Sequence, residues 1–123
     1  MKSLPKILIV DDDERWRLAL RNLLSEYSVF DSDGEEQALQ AIASQYFDLV
    51  LLDYRLGEGD GLSIIRRASE MALRVGAIII VTGFPDATLS AMAMKLGAVD
   101  FFNKGELKDL RARVQQVLAR QSD

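Results

Sequence analysis

The chain has no cysteine and no histidine among its 123 residues. The first absence removes a disulfide framework and thiolate metal sites. The second removes the commonest general base and transition-metal ligand. Any chemistry is left to carboxylates, hydroxyls, amines and the backbone. A basic excess is missing too: the formal net charge is −4 and the sequence pI about 4.8. That balance argues against direct contact with nucleic acid, whose phosphates call for a concentrated basic surface. Long apolar runs are also lacking. The opening "MKSLPKILIV" carries two lysines but only four unbroken apolar residues before the aspartates, far short of a secretory core or a membrane span. The expectation is a soluble cytoplasmic protein with neither a membrane nor a nucleic acid as partner.

What is present is 49% hydrophobic residues in a length typical of one domain, so residues 1–123 are expected to form a single unit around one sheet. There is no long linker, low-complexity run or fixed-period repeat. Short apolar runs alternate with segments of helical periodicity, the pattern of βα units. Strands are expected at 6–10, 28–31, 48–52, 77–81 and 99–102. The third and fourth, "DLVLL" and "AIIIV", are nearly continuous apolar runs, as in strands covered by helices on both faces. Trp16, Leu20, Leu23, Leu24 and Tyr27 form one helical stripe. "GEEQALQAIASQY" supplies a second helix, and Leu62, Ile65, Ala68 and Ala72 mark a third. An Ala/Met-rich helix follows "FPDA", and Leu107, Leu110, Val114, Val117 and Leu118 mark a fifth. The fold class is therefore α/β, a doubly wound parallel sheet of five strands, in which ligands bind beyond the carboxyl ends of the strands.

Those ends carry an unusual set of side chains. "ILIVDDDERW" runs from a buried-type strand directly into Asp11, Asp12 and Asp13; the third strand ends at Asp53, the fourth at Thr82 and Gly83, and Lys104 follows the fifth. Two carboxylates about 4 Å apart repel by roughly 4 kcal/mol at an effective dielectric of about 20, so such a cluster needs protons or cations. A hard divalent ion such as Mg²⁺, which favours oxygen ligands and retains waters, suits Asp11, Asp12 and Asp53. Asp13 reads instead as a helix N-cap or a solvated acid. Beside a metal, Asp53 could act as a nucleophile toward a phosphoryl group, with Lys104 neutralising its oxygens and Thr82 donating to one. Taken singly, Lys104 reads as a surface lysine and Thr82 as a β-branched strand end; their joint placement gives them weight.

In this order and spacing, "ILIVDD", "LVLLDYRL", Gly61, "IIIVTG" and "GAVDFFNK" resemble the receiver domain of two-component response regulators over essentially the whole chain. The resemblance implies a flavodoxin-like (βα)5 fold with strand order 2-1-3-4-5. It implies Mg²⁺ (or Mn²⁺) held by Asp11, Asp12, Asp53 and the backbone carbonyl of Arg55. Asp53 would accept a phosphoryl group from a histidine kinase or phosphotransfer protein. Thr82 and Phe101 would act as the switch, Lys104 would pair with the phosphoryl group, and the surface of the fourth helix, fifth strand and fifth helix would address a downstream protein or output domain. Such a protein is a phosphoacceptor regulator, not a dedicated enzyme. The sequence departs from the family at Gly105, where proline usually follows the lysine, often through a cis peptide. A non-proline cis bond costs about 3 to 4 kcal/mol, so a trans or more mobile loop is expected. It departs again at Leu56-Gly57, where Met-Pro is frequent; with Gly59 and Gly61 this stretch reads as turns.

Two side chains near the site carry further expectations. Arg55 and Phe84, each two residues past a site residue, are placed to overhang the phosphoryl group and prolong its life. Trp16, just after the acids, is placed to sense metal occupancy. Two other readings are weaker. A haloacid-dehalogenase-like phosphatase would use Asp11 as nucleophile, but Arg15 stands where such enzymes carry Thr or Val, and the late acidic pair is missing. A flavodoxin-like cofactor binder would not have so acidic a first loop. A receiver fold kept as a phosphorylation-independent interaction module is the more serious alternative.

Overall fold

The computed structural model describes residues 3–56, 59–83 and 86–121. Five strands form one sheet: β1 (Lys6–Val10), β2 (Ser28–Ser32), β3 (Leu49–Leu52), β4 (Ala77–Thr82) and β5 (Asp100–Asn103). Their order is β2-β1-β3-β4-β5, all parallel, as the resemblance implies. Between and after them run α1 (Glu14–Leu23), α2 (Glu35–Ser44), α3 (Gly61–Glu70), α4 (Ala87–Lys95) and α5 (Leu107–Gln121). Among the described residues no helix is long and apolar enough to cross a membrane.

The two-residue period of the strands sorts the core into two layers. Leu8, Val10, Val50, Leu52 and Ile80 point to the side covered by α2, α3 and α4, against Leu39, Ile42, Leu62, Ile65 and Ala93. Ile7, Ile9, Leu49, Leu51, Ile79 and Val81 point to the side covered by α1 and α5, against Leu20, Leu24, Leu110, Val114 and Leu118. Helix on both faces is why β3 and β4 read as unbroken apolar runs.

Aspartates start three of the helices. Asp13 caps α1 by accepting from Arg15 N (3.0 Å), which agrees with its reading as a helix-start residue. Asp60 caps α3 through Ser63 N, and Asp86 caps α4 through Thr88 N and Leu89 N.

Two local expectations need correction. Ala72 does not continue the α3 stripe: the helix stops at Glu70, and Ala72 is exposed with φ 56°, a left-handed turn after the last helical residue. The glycine-containing stretch after Asp53 is more regular than turns alone, because Arg55–Leu56 pairs antiparallel with Gly59–Asp60 as a small ribbon. Gly57 and Phe84 lie outside the described residues.

Candidate functional site

Register brings the polar strand ends together. Val10 pairs with Leu52, so the next residues, Asp11 and Asp53, leave adjacent strands side by side. Asp53 N–H donates to Val10 O at 2.9 Å and Asp11 N–H to Ser32 O at 3.1 Å, which extends the ladder past both acids. Thr82 pairs with Asn103, and the next amide, Lys104 N, donates to Thr82 O at 2.8 Å. Strand β5 lies two positions from β3, roughly 10 Å away at the usual strand spacing. Only a long side chain covers that gap, and the lysine stem does.

Parity separates these residues into two groups. Asp11, Asp53 and Lys104 continue the alternation of Ile9, Leu51 and Phe102, the side of α1 and α5. Thr82 follows Ile80, and Phe101 packs against the other layer, on the side of α4. The acid–lysine cluster therefore sits above one layer, and Thr82 and Phe101 border the other.

Asp11 and Asp53 are 1% and 7% exposed and Thr82 is fully buried, whereas Asp12 faces solvent. The Lys104 ammonium lies 2.6 Å from Asp11 Oδ2 and 3.3 Å from Asp53 Oδ2. Asp53 Oδ1 also accepts a long bond, 3.4 Å, from Arg55 N. Burial, then repulsion from Asp11, pushes the Asp53 carboxyl up to about 6, although Lys104 and the Arg55 amide pull it down. Burial alone would lower Lys104, but its contacts with Asp11 and Asp53 outweigh that and hold it above its ordinary value.

The donor set fits a hard divalent cation. Asp11, Asp12 and Asp53 each offer a carboxylate oxygen, and the three oxygens lie within 4.8 Å of one another. Three carboxylates against one ammonium leave about two formal negative charges, the charge of one such ion. Asp11 Oδ2 is buried and receives no directed hydrogen bond; its 2.6 Å contact with Lys104 is an ion pair of poor angle. An oxygen so placed retains lone-pair capacity for a cation.

Several residues support the site from outside the acid, hydroxyl and lysine positions. Arg17 Nη1 donates to Asp11 O at 2.6 Å and its Nε lies 3.8 Å from Asp31, which ties α1 to the end of β1. Its cation is indistinguishable in sequence from the exposed Arg15. Gly61 permits a close approach: a Cβ there would lie 2.3 Å from Asp53 O, while Gly61 N donates to Tyr54 O at 2.6 Å. Around the lysine, Asn103 Oδ1 accepts from Gly105 N (2.9 Å) and Glu106 Oε1 accepts from Asn103 N (3.0 Å), a reciprocal pair resembling a capping box. Among the described residues no peptide bond is cis, and the glycine amide that replaces the family's proline is a used donor.

The sequence pattern of the response regulator receiver domain matches residues 7–115. The transcriptional regulatory protein ZraR of Escherichia coli K12 is 32% identical over 116 residues, 92% of this chain, and the chain spans only 26% of that protein's length. Sporulation initiation phosphotransferase F of Bacillus subtilis is 30% identical over 121 residues, covering 96% of this chain and 97% of the relative. Among solved structures, a CheY-like receiver domain protein from Methanospirillum hungatei superposes with a TM-score of 0.86 at 26% identity, covering 98% of both chains. A signal receiver domain of an HD domain-containing protein from Pseudomonas fluorescens gives 0.85 at 30% identity, over 99% of this chain and 92% of that one. With a family match over most of its length and a fold of the same strand order, the chain belongs to the receiver domains of two-component response regulators.

Proposed function

We propose that Asp53 is the phosphoacceptor of this receiver and that residues 1–123 form one receiver unit. The observation that carries this reading is the convergence of a buried carboxylate, two further acids and a lysine ammonium at the end of the central strand. A carboxylate oxygen of Asp53 attacks phosphorus as the P–N bond of a phosphohistidine breaks; that nitrogen keeps the bonding electrons and its imidazole takes up a proton from solvent. The donor is a histidine kinase or histidine phosphotransfer protein. Lys104, already 3.3 Å from Asp53, pairs with the transferred oxygens, and the Thr82 hydroxyl donates to one of them.

Asp11, Asp12, Asp53 and the carbonyl of Arg55 would hold Mg²⁺ (or Mn²⁺), which neutralises charge on the phosphoryl oxygens when bound. With no dedicated turnover chemistry, the domain works as a switch in the cytoplasm. Phosphorylation adds up to about two negative charges beside Lys104 and Thr82. Thr82 borders the α4 layer and shares that side with Phe101, so a shift of the hydroxyl toward the phosphoryl group and repacking of the ring change the α4-β5-α5 surface. A downstream protein or an output domain reads that surface.

Incubation with Mg²⁺ and acetyl phosphate followed by intact-mass measurement tests the reading. An adduct of about 80 Da is expected on the wild type and not on Asp53→Asn. A wild type that stays unmodified with both this donor and a phosphorylated histidine phosphotransfer protein would point instead to a phosphorylation-independent interaction module.

A further inference from the structure

Trp16 occupies the first turn of α1, half-buried, in the layer that also contains Phe102 and Leu107. Its ring centroid lies 5.1 Å from Lys104 Nζ. This is inside the range, about 6 Å, over which an ammonium is attracted to the face of an indole. The ammonium thus has Asp11 at 2.6 Å, Asp53 at 3.3 Å and an aromatic face as a third neighbour. The contact is partly desolvated, where a cation–π attraction is stronger than at an exposed site.

A lysine stem has several rotamers that would carry its charge into water. The backbone of Lys104 is fixed by its own N–H on Thr82 O and by the flanking bonds of Asn103, Gly105 and Glu106. Those bonds do not choose among the rotamers. The ion pairs with Asp11 and Asp53 do, and the indole adds to them by attracting the same ammonium head.

From this geometry we infer that Trp16 is a positioning residue for phosphoryl transfer: it holds the Lys104 ammonium over the acids so that the phosphoryl oxygens meet a cation already in place. This role rests on the proposed reading of Lys104 and Asp53. Trp16 touches neither the reacting oxygen nor phosphorus, so it acts only through the lysine.

The test measures initial rates of modification by acetyl phosphate with Mg²⁺, read by intact mass, in the full chain. Trp16→Leu keeps an apolar side chain without a π face and is expected to slow modification about three- to tenfold. Trp16→Phe, which keeps a weaker face, should stay within about threefold of wild type. In a Lys104→Met background, Trp16→Leu should add nothing further. Separately, without donor or Mg²⁺, Lys104→Met should shift the emission of the wild-type indole. A Trp16→Leu rate equal to wild type, the same slowing with and without Lys104, or an indole emission indifferent to Lys104→Met would each overturn the inference while leaving the phosphoacceptor reading intact. A Lys104→Met protein modified at the wild-type rate would overturn the reading of the lysine and this role with it. Should Trp16→Leu fail to fold, the emission change in Lys104→Met decides.

Discussion

The ammonium of Lys104 sits closer to Asp11, at 2.6 Å, than to Asp53, at 3.3 Å. The lysine offsets part of the charge on the acid that a divalent ion would share with Asp12. A divalent ion bound as proposed would therefore compete with the lysine for Asp11 before any phosphoryl group arrives.

That competition has a measurable sign. Removing the lysine charge in Lys104→Met should tighten Mg²⁺ binding by about three- to tenfold, while Asp11→Asn or Asp12→Asn should weaken it by about tenfold or more, both read by calorimetry. Because Trp16 lies 5.1 Å from the ammonium, the same titration should change its emission as Lys104 is displaced. A flat signal with saturable heat would show that the lysine does not move.

The raised Asp53 carboxyl makes stability depend on pH in the metal-free protein. Its folded value, about 6, is above the ordinary carboxylate range, so the folded state binds more protons than the unfolded state between roughly pH 4 and 6. This group therefore lowers stability as pH rises through that window, the reverse of a salt-bridged acid. Asp53→Asn should be the more stable protein at pH 7 by about 1 to 2 kcal/mol once solvent screening is allowed for, and the difference should shrink toward pH 4. Urea unfolding in chelator at several pH values measures it, and saturating Mg²⁺ should narrow the gap at pH 7.

Among the described glycines, Gly61 has the least room for a side chain. Gly61→Ala would place a methyl 2.3 Å from Asp53 O, a backbone atom with no freedom to rotate away. A cost of about 1 to 3 kcal/mol is expected, together with slower modification of Asp53, whose own backbone has to shift. Denaturant unfolding and the intact-mass assay report the two effects on one sample. Loss of stability with an unchanged rate would separate the turn from the site.

The loop that carries Lys104 rests on two exposed hydrogen bonds. Glu106→Ala removes the acceptor for Asn103 N and should cost about 0.5 to 1 kcal/mol, whereas Glu106→Gln keeps an acceptor oxygen and should be nearly neutral. Gly105→Pro removes the donor to Asn103 Oδ1 and should destabilise the protein despite restoring the residue usual in the family. Thermal unfolding of the three variants settles the order.

The sequence by itself determined a great deal here, because the driving pattern was local. Apolar runs at the five strands and stripes such as Leu110, Val114 and Leu118 depend only on residue spacing, so fold class and the residues at the strand ends were legible. Strand boundaries shifted by a residue, as at Thr82 and Asn103, where ladder bonds and not hydropathy set the limit. Ala72 escaped the reading since a helical stripe persists in sequence after the backbone has turned.

Tertiary structure alone decided which of those strand ends meet. Asp11 and Asp53 are neighbours because β1 pairs with β3 in a particular register, and a slip of one residue would point one of them to the opposite layer. The same register sends Lys104 across β4 and β3 to Asp11 and beside Trp16, and leaves Thr82 and Phe101 on the α4 side. Arg17 and Gly61 gain their roles only from this packing, since a guanidinium on a carbonyl and a missing methyl against a backbone are contacts between distant segments. Residue type and spacing fix which groups are available; pairing across the sheet fixes their distances, and the electrostatics of the site follow from those distances.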